Sequence, residues 1–162
     1  MLTSGQIAHF ETFGFLVLRQ LLSRDEISIM KRESVEIFDE ERGGTPYTGG
    51  ESETIQPFLE RRPFLSKLVD DDRIYNIGVD LCGPDFVLAN NGGALRVGDT
   101  EWHPDLGWDA TIPEGKNDPE RIAGRRGRNH YIPSIKVAFY LDPVGKETGA
   151  LRIIPGAHRN PY

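Results

Sequence analysis

Several features that mark particular protein classes are missing from this sequence of 162 residues. It has one cysteine, Cys82, so no disulfide can form within the chain and a reducing cytoplasm is the expected location. No apolar run approaches the ~18 residues that span a bilayer, and the N-terminus lacks a signal-peptide pattern. The net charge is −6 without a long basic block, which argues against nucleic acid or an anionic membrane as a partner. The expectation is a single cytoplasmic domain.

The hydrophobic pattern predicts an α+β domain with a mainly helical part, residues 1–84, and a strand-rich part, residues 85–162. Helices are predicted at 4–13, 24–41, 57–69 and 72–82. Strands are predicted at 15–18, 86–89, 94–97, 134–141 and 151–154. Glycine-rich stretches predict a mobile loop at 43–54 and a long insertion loop at 106–131.

Capping residues delimit the first helices. Thr3 or Ser4 can cap the first helix, and Gly14 can end it in a left-handed turn. Ser23 and Glu26 form the S-x-x-E capping box of the second helix.

The strongest local chemical signal is the segment Trp102-His103-Pro104-Asp105. In an extended chain, residues two apart point to the same side, so His103 and Asp105 can present an imidazole and a carboxylate to one metal. Two such ligands plus a distant histidine form the facial triad of non-heme Fe(II) oxygenases. The alternative is a surface histidine next to a solvated aspartate, because H-x-D by itself is common.

Three other histidines are weaker candidates. His158 follows a strand pattern and a Pro-Gly turn, so it can act as a third ligand; the alternative is a turn histidine whose ring hydrogen-bonds the backbone. His130 is interpreted as a solvated loop residue and His9 as a surface residue of the first helix.

A basic cluster and two tryptophans lie near the H-x-D segment. Arg125, Arg126 and Arg128 can bind an anionic substrate group, or can belong to a solvated loop. Trp102 and Trp108 can wall a pocket, or can be ordinary core residues. Cys82 is interpreted as a small buried apolar residue, and no nucleophile elbow, phosphate loop or dinucleotide fingerprint is present.

Three stretches together resemble the phytanoyl-CoA dioxygenase family of Fe(II)/2-oxoglutarate oxygenases. They are LTSGQIAHFETFGFLVLRQLLSRDEI at 2–27, GDTEWHPD at 98–105 and KVAFYLDPVGKETGALRIIPGAHR at 136–159. The first is similar to the family's opening helix, short strand and second capped helix. The second is similar to its H-x-D metal segment, and the third to its strand, acidic turn and G-A-L-R-V-I-P-G-S-H-R block.

The resemblance implies a double-stranded β-helix, a jelly-roll barrel of the cupin kind, with the N-terminal helices outside. It makes His103 and Asp105 the metal-binding and catalytic residues, with Fe(II) as the metal, 2-oxoglutarate as cosubstrate and O2 as oxidant. The implied reaction hydroxylates an unactivated C–H bond of a small organic substrate and releases succinate and CO2. The protein supplies positioning and a dry pocket.

Other residues are expected around this metal. Arg96, Lys136 and Tyr140 are the candidates for binding 2-oxoglutarate, and Trp102 and Trp108 for lining the substrate pocket. The insertion at 106–131 is expected to border the mouth of the pocket as a lid that excludes water.

The sequence also departs from the family pattern. In the family, the distal histidine ligand and the arginine that pairs with the 2-oxoglutarate tail follow the P-G-x-H-R block, whereas this sequence stops at Tyr162. We therefore expect a barrel that is incomplete at the C-terminus and can self-associate through unpaired strand edges. Recruitment of His158 as third ligand is the alternative. Pro104 lies between the two ligands and has no side-chain donor.

Two other functions remain open. A halogenase-like or epimerising enzyme can use the same scaffold, but Asp105 argues against a halogenase, which keeps that position small for halide. The second is a non-catalytic binding or regulatory module on a degenerate jelly-roll barrel.

Overall fold

A computed structural model of the chain describes residues 1–95, 98, 102 and 135–158. The four α-helices of this part are α1 (Ser4–Phe13), α2 (Arg24–Glu41), α3 (Pro63–Lys67) and α4 (Asp72–Cys82). The strands are β1 (Glu53–Ile55) and β2 (Gly93–Leu95), and short 3-10 helices occupy Leu59–Arg61 and Lys146–Thr148. Among these residues, no helix combines the length and the apolar character that a membrane crossing requires.

Helices α1 and α2 confirm the predicted positions and caps. In α1, the Thr3 N–H donates to Gln6 Oε1 over 2.8 Å, and the Gln6 N–H donates back to Thr3 Oγ1 over 3.2 Å. Ser23 and Glu26 form the same reciprocal pair at the start of α2. Gly14 follows α1 in the left-handed conformation at φ +81°, as a glycine after a helix often does.

The predicted helical region near 57–69 is confirmed as two short pieces, a 3-10 turn followed by α3. Arg62 stands between them in an extended conformation, with φ −140° and ψ 143°. The cause is Pro63, whose ring disfavours a helical residue before it, while its own missing N–H suits the first helical position. Helix α4 begins as predicted, after Asp71, whose carboxylate accepts from the Arg73 N–H over 3.0 Å.

The sheet described has two antiparallel strands, with Thr54 opposite Ala94 and Ile55 opposite Gly93. Strand β2 confirms the start of the predicted strand at 94–97, whereas β1 occupies the end of a predicted loop and its continuation. A Cβ atom at Gly93 would lie 2.3 Å from the Phe58 ring. Glycine at this position therefore lets Phe58 pack directly against the backbone of β2.

The core lies between α2 and the segment that follows β1. Its buried side chains are Met30, Ile37, Phe38, Ile55, Phe58, Leu65 and Leu68. Ile37 has no exposed surface, and the rings of Phe38 and Phe58 lie 5.6 Å apart. Phe139 and Leu141 pack against this core from the other half of the chain. The two predicted parts thus share one hydrophobic core.

The α+β mixture is confirmed, but the predicted barrel is not present in the described residues, which contain only the two-stranded sheet. Predicted strands that are wrong in the described part are 15–18, 86–89, 135–141 and 151–154. Position 134 and the expected continuation of β2 at 96–97 lie outside that part.

Competing contacts explain two of these differences. The Phe15 ring packs edge-on against His9 of α1, at 5.4 Å between centroids. The Phe86 ring packs against α4, where a Cβ atom at Gly78 would lie 2.5 Å from it. At 135–141 and 151–154, the apolar side chains favour a strand. Among the described residues, however, no other strand forms backbone hydrogen bonds with either segment. Strand preference reflects fit to a paired, half-buried surface, so composition alone does not produce a strand.

Candidate functional site

The predicted site residues fall into two groups. Those outside the described residues are His103, Asp105, Arg96 and Trp108, together with the insertion at 106–131, which contains His130 and the three clustered arginines. Those inside are Trp102, Lys136, Tyr140 and His158. The structure therefore gives the contacts and exposure of the second group only.

Trp102, the residue before His103, contacts a distant part of the chain. The guanidinium carbon of Arg152 lies 4.9 Å from the centroid of the Trp102 ring, a cation–π geometry. The ring keeps 58% of its surface exposed. The contact places the segment 151–154, which carries Arg152, next to the start of the predicted metal segment.

The turn that follows this segment is bound to the end of α1. The Gly156 N–H donates to the Phe13 carbonyl over 2.9 Å. Nε2 of His158 lies 3.0 Å from the Glu11 carbonyl, and as an N–H it donates to that oxygen. These two groups satisfy carbonyls at a helix C-terminus, which have no partner within the helix.

His158 is thus a turn histidine whose ring hydrogen-bonds backbone, as the alternative interpretation predicted. Its other nitrogen, Nδ1, is buried and has no hydrogen-bond partner in the described part. A Cβ atom at Gly14 would lie 2.3 Å from Nδ1, so the glycine backbone covers this side of the ring. Neither nitrogen can bind a metal in this arrangement, which weighs against recruitment of His158 as a ligand.

Lys136 and Tyr140 differ in exposure from their neighbours in the same segment. Phe139 and Leu141 pack on the core, whereas Lys136 and Tyr140 are exposed. The segment is held near α2 by an ion pair between Lys31 and Asp142. Two of the three candidates for 2-oxoglutarate binding, Lys136 and Tyr140, therefore lie at the surface and not in the core.

Within residues 1–95, 98, 102 and 135–158, no three His, Cys, Asp or Glu side chains are grouped so that they can hold a metal ion. The donor chemistry of His103 and Asp105 suits Fe(II), because imidazole and carboxylate are the ligand types of the facial triad. The predicted ligands thus fit the implied metal by chemistry.

The largest pKa shifts belong to an ion-pair cluster away from the H-x-D segment. The pKa of Glu26 is lowered to about 2, first by a hydrogen bond from Arg73 and then by the Ser23 N–H. Arg73 also binds Asp71 and lowers its pKa. This cluster joins the start of α2 to the start of α4. Its carboxylates are already paired with the guanidinium, so its role is structural.

A second polar group lines an open cleft of about 360 Å³ between residues 56–60 and 88–91. Asn91 Oδ1 accepts from the N–H groups of Phe58 and Leu59, both over 2.8 Å. Asn91 Nδ2 donates to Glu60 over 3.0 Å. The Asn91 side chain thus fixes the loop after β1, and its hydrogen-bonding groups are already used by the protein.

Sequence reasoning missed Arg152 as a contact of Trp102, the residue before the predicted ligand His103. The available signal was its position in the ALRIIPGAH block, which is similar to a block of the family. Contact between positions fifty residues apart depends on the fold of the intervening chain, so neither spacing nor periodicity could reveal it.

Comparison with known proteins gives one result for this chain. The sequence profile of the phytanoyl-CoA dioxygenase (PhyH) family matches residues 10–162. The match includes α2, the H-x-D segment and the 151–158 block. No curated protein and no solved structure matches the chain significantly.

Proposed function

Because the chain belongs to the phytanoyl-CoA dioxygenase family, we propose that it is a non-heme Fe(II)/2-oxoglutarate-dependent dioxygenase that hydroxylates an unactivated C–H bond of a small organic substrate. The observation that carries the proposal is the family match over residues 10–162, which includes His103 and Asp105.

His103 and Asp105 are the proposed metal ligands. An imidazole and a carboxylate leave coordination positions of Fe(II) open for 2-oxoglutarate and O2. The bound iron supplies the redox chemistry, in which one O2 is divided between a hydroxylated product and the succinate formed with CO2 from 2-oxoglutarate. The residues of the chain bind the metal, orient the two organic molecules and exclude water.

Five further residues have proposed binding roles. Arg96 and Lys136 can pair with the carboxylates of 2-oxoglutarate, and the Tyr140 hydroxyl can donate a hydrogen bond to it. Lys136 and Tyr140 are exposed, so a small molecule can reach them. Trp102 and Trp108 provide flat apolar surfaces for the substrate.

The test measures Mn(II) binding, as a redox-inert substitute for Fe(II), and uncoupled succinate formation from 2-oxoglutarate. We expect both to be lost in His103→Ala and in Asp105→Asn. The matched controls are His9→Gln and Asp85→Asn, which remove an exposed histidine and an exposed aspartate that are distant in sequence from the H-x-D segment. These controls should retain metal binding and succinate formation.

A contrary result would identify the alternative function. If wild-type protein and His103→Ala bind Mn(II) equally and neither forms succinate, the dioxygenase proposal is wrong and a non-catalytic binding module is favoured. If the wild type binds Mn(II) but forms no succinate, His103 and Asp105 remain the proposed metal ligands, but 2-oxoglutarate is rejected as the cosubstrate.

A further inference from the structure

The contact between Arg152 and Trp102 joins two segments that are distant in sequence. The guanidinium lies over the indole face at 4.9 Å, and Arg152 belongs to an exposed segment. Trp102 is bonded directly to His103, the first proposed ligand. A restraint on Trp102 therefore limits where the His103 backbone can lie.

The segment that carries Arg152 is itself fixed to the helical part. Four residues after Arg152, Gly156 donates to the Phe13 carbonyl, and His158 then binds the Glu11 carbonyl. A continuous series of contacts thus runs from α1 through the 155–158 turn and Arg152 to Trp102. Arg152 connects a folded helix to the residue that precedes the proposed ligand.

We propose that Arg152 is a positioning residue for the metal centre, acting through Trp102 to hold His103 where it can bind the metal. This inference rests on the proposed function. The planar guanidinium is suited to the task, since it stacks on an aromatic face and lysine offers no equivalent plane.

The charge of Arg152 and its proposed positioning role predict opposite changes in metal affinity when Arg152 is replaced. A guanidinium acting only through its charge would repel a divalent cation, so its removal would tighten binding. A guanidinium that positions His103 strengthens binding, so its removal weakens it. The direction of the change separates the two effects.

The first measurement tests the contact without metal. In the Trp108→Phe chain, Trp102 is the remaining tryptophan of the two in the sequence. On this background, Arg152→Met should increase quenching of Trp102 fluorescence by acrylamide, because it exposes the covered ring face. The matched control Lys146→Met removes an exposed cation from the connection before Arg152 and should leave quenching unchanged.

The second measurement is Mn(II) affinity, followed by the electron paramagnetic resonance signal of the free ion. Arg152→Met should raise the dissociation constant about two- to fivefold, the size that a cation–π contact at an exposed ring supports. Arg152→Lys should give a smaller change. In a Trp102→Leu chain, Arg152→Met should have no additional effect on the dissociation constant, because the proposed route to His103 through Trp102 is already removed. Lys146→Met should leave the dissociation constant unchanged.

The outcomes distinguish failure of this role from failure of the proposed function. Loss of Mn(II) binding in His103→Ala with unchanged or tighter binding in Arg152→Met would refute the positioning role and leave the function standing. Unchanged Mn(II) binding in His103→Ala would reject both the positioning role of Arg152 and the proposed function. An equal effect of Arg152→Met with and without Trp102 would show that Arg152 acts elsewhere. Circular dichroism checks folding, and Arg152→Lys replaces Arg152→Met if that variant does not fold.

Discussion

Gly14 and His158 are in direct contact across the end of α1: a Cβ atom at Gly14 would lie 2.3 Å from Nδ1 of His158. The glycine is at φ +81°, so it has both a backbone conformation that favours glycine and no space for a side chain. The first helix and the P-G-A-H turn therefore depend on the same small residue.

Gly14→Ala should lower the free energy of unfolding by about 2–4 kcal/mol, the sum of left-handed strain and a forced displacement of His158. The measurement is urea denaturation followed by circular dichroism. Gly149→Ala is the matched control, because Gly149 is also left-handed, at φ +79°, and a Cβ atom there would have no described residue beyond its chain neighbours within 4 Å. The control should cost only about 1 kcal/mol, and equal losses in the two variants would contradict the contact.

His158→Ala should reduce stability by about 0.5–1.5 kcal/mol, because the Glu11 carbonyl loses its hydrogen bond from Nε2. The same variant should bind Mn(II) as tightly as the wild type, since His158 contacts α1 and the glycine that follows it with both sides of its ring. Urea denaturation and Mn(II) titration of one preparation measure the two effects. Loss of metal binding in His158→Ala would show that this histidine is the third ligand after all.

The Glu26–Arg73 pair should make stability sensitive to acid. The pKa of Glu26 falls from 4.5 to about 2 in the folded chain, so the folded state favours the ionised carboxylate. Its contribution is therefore fully present above pH 4.5 and is lost as the pH falls towards 2.

Glu26→Gln should flatten the decline of stability in this pH range, because glutamine can keep the cap on the Ser23 N–H but does not titrate. Urea denaturation at a series of pH values measures the decline. Glu51→Gln, at an exposed position of the loop before β1, should leave it unchanged. If stability declines identically in Glu26→Gln and the wild type, ionisation of Glu26 does not cause the loss of stability in acid.

Asn91→Ala should destabilise the chain by about 1–3 kcal/mol, because the N–H groups of Phe58 and Leu59 lose their shared acceptor in a partly buried place. The neighbouring Asn90→Ala is the matched control and should have little effect. Thermal unfolding of both variants measures the difference. Equal melting temperatures would show that water replaces the amide without cost.

The helical part of the fold could be predicted because its signals are local. Ser23 and Glu26 define the start of α2 by contacts three residues apart, and Gly14 ends α1 through its own conformational freedom. The sheet required non-local information. Ile55 pairs with Gly93 across thirty-eight positions, so the partner that makes residues 53–55 a strand is not visible in their own sequence.

The candidate site likewise combines features with a local sequence signal and features that depend on distant parts of the chain. The residue types of His103 and Asp105 predict a metal segment only weakly by themselves, and it is the family match that favours this hypothesis. The role of His158 depended on what surrounds its ring, which is set by α1 at the opposite end of the sequence. Arg152 was missed for the same reason, since its partner Trp102 is brought to it by the fold.

The bond between His158 and the Glu11 carbonyl also has a consequence for the order of events in synthesis. Its two residues are 147 positions apart, so the contact closes a very long loop. Helix α1 leaves the ribosome before residues 156–158, so its last carbonyls stay open to water until that turn has emerged. Helix α1 is therefore completed by a segment that is synthesised long after the helix itself.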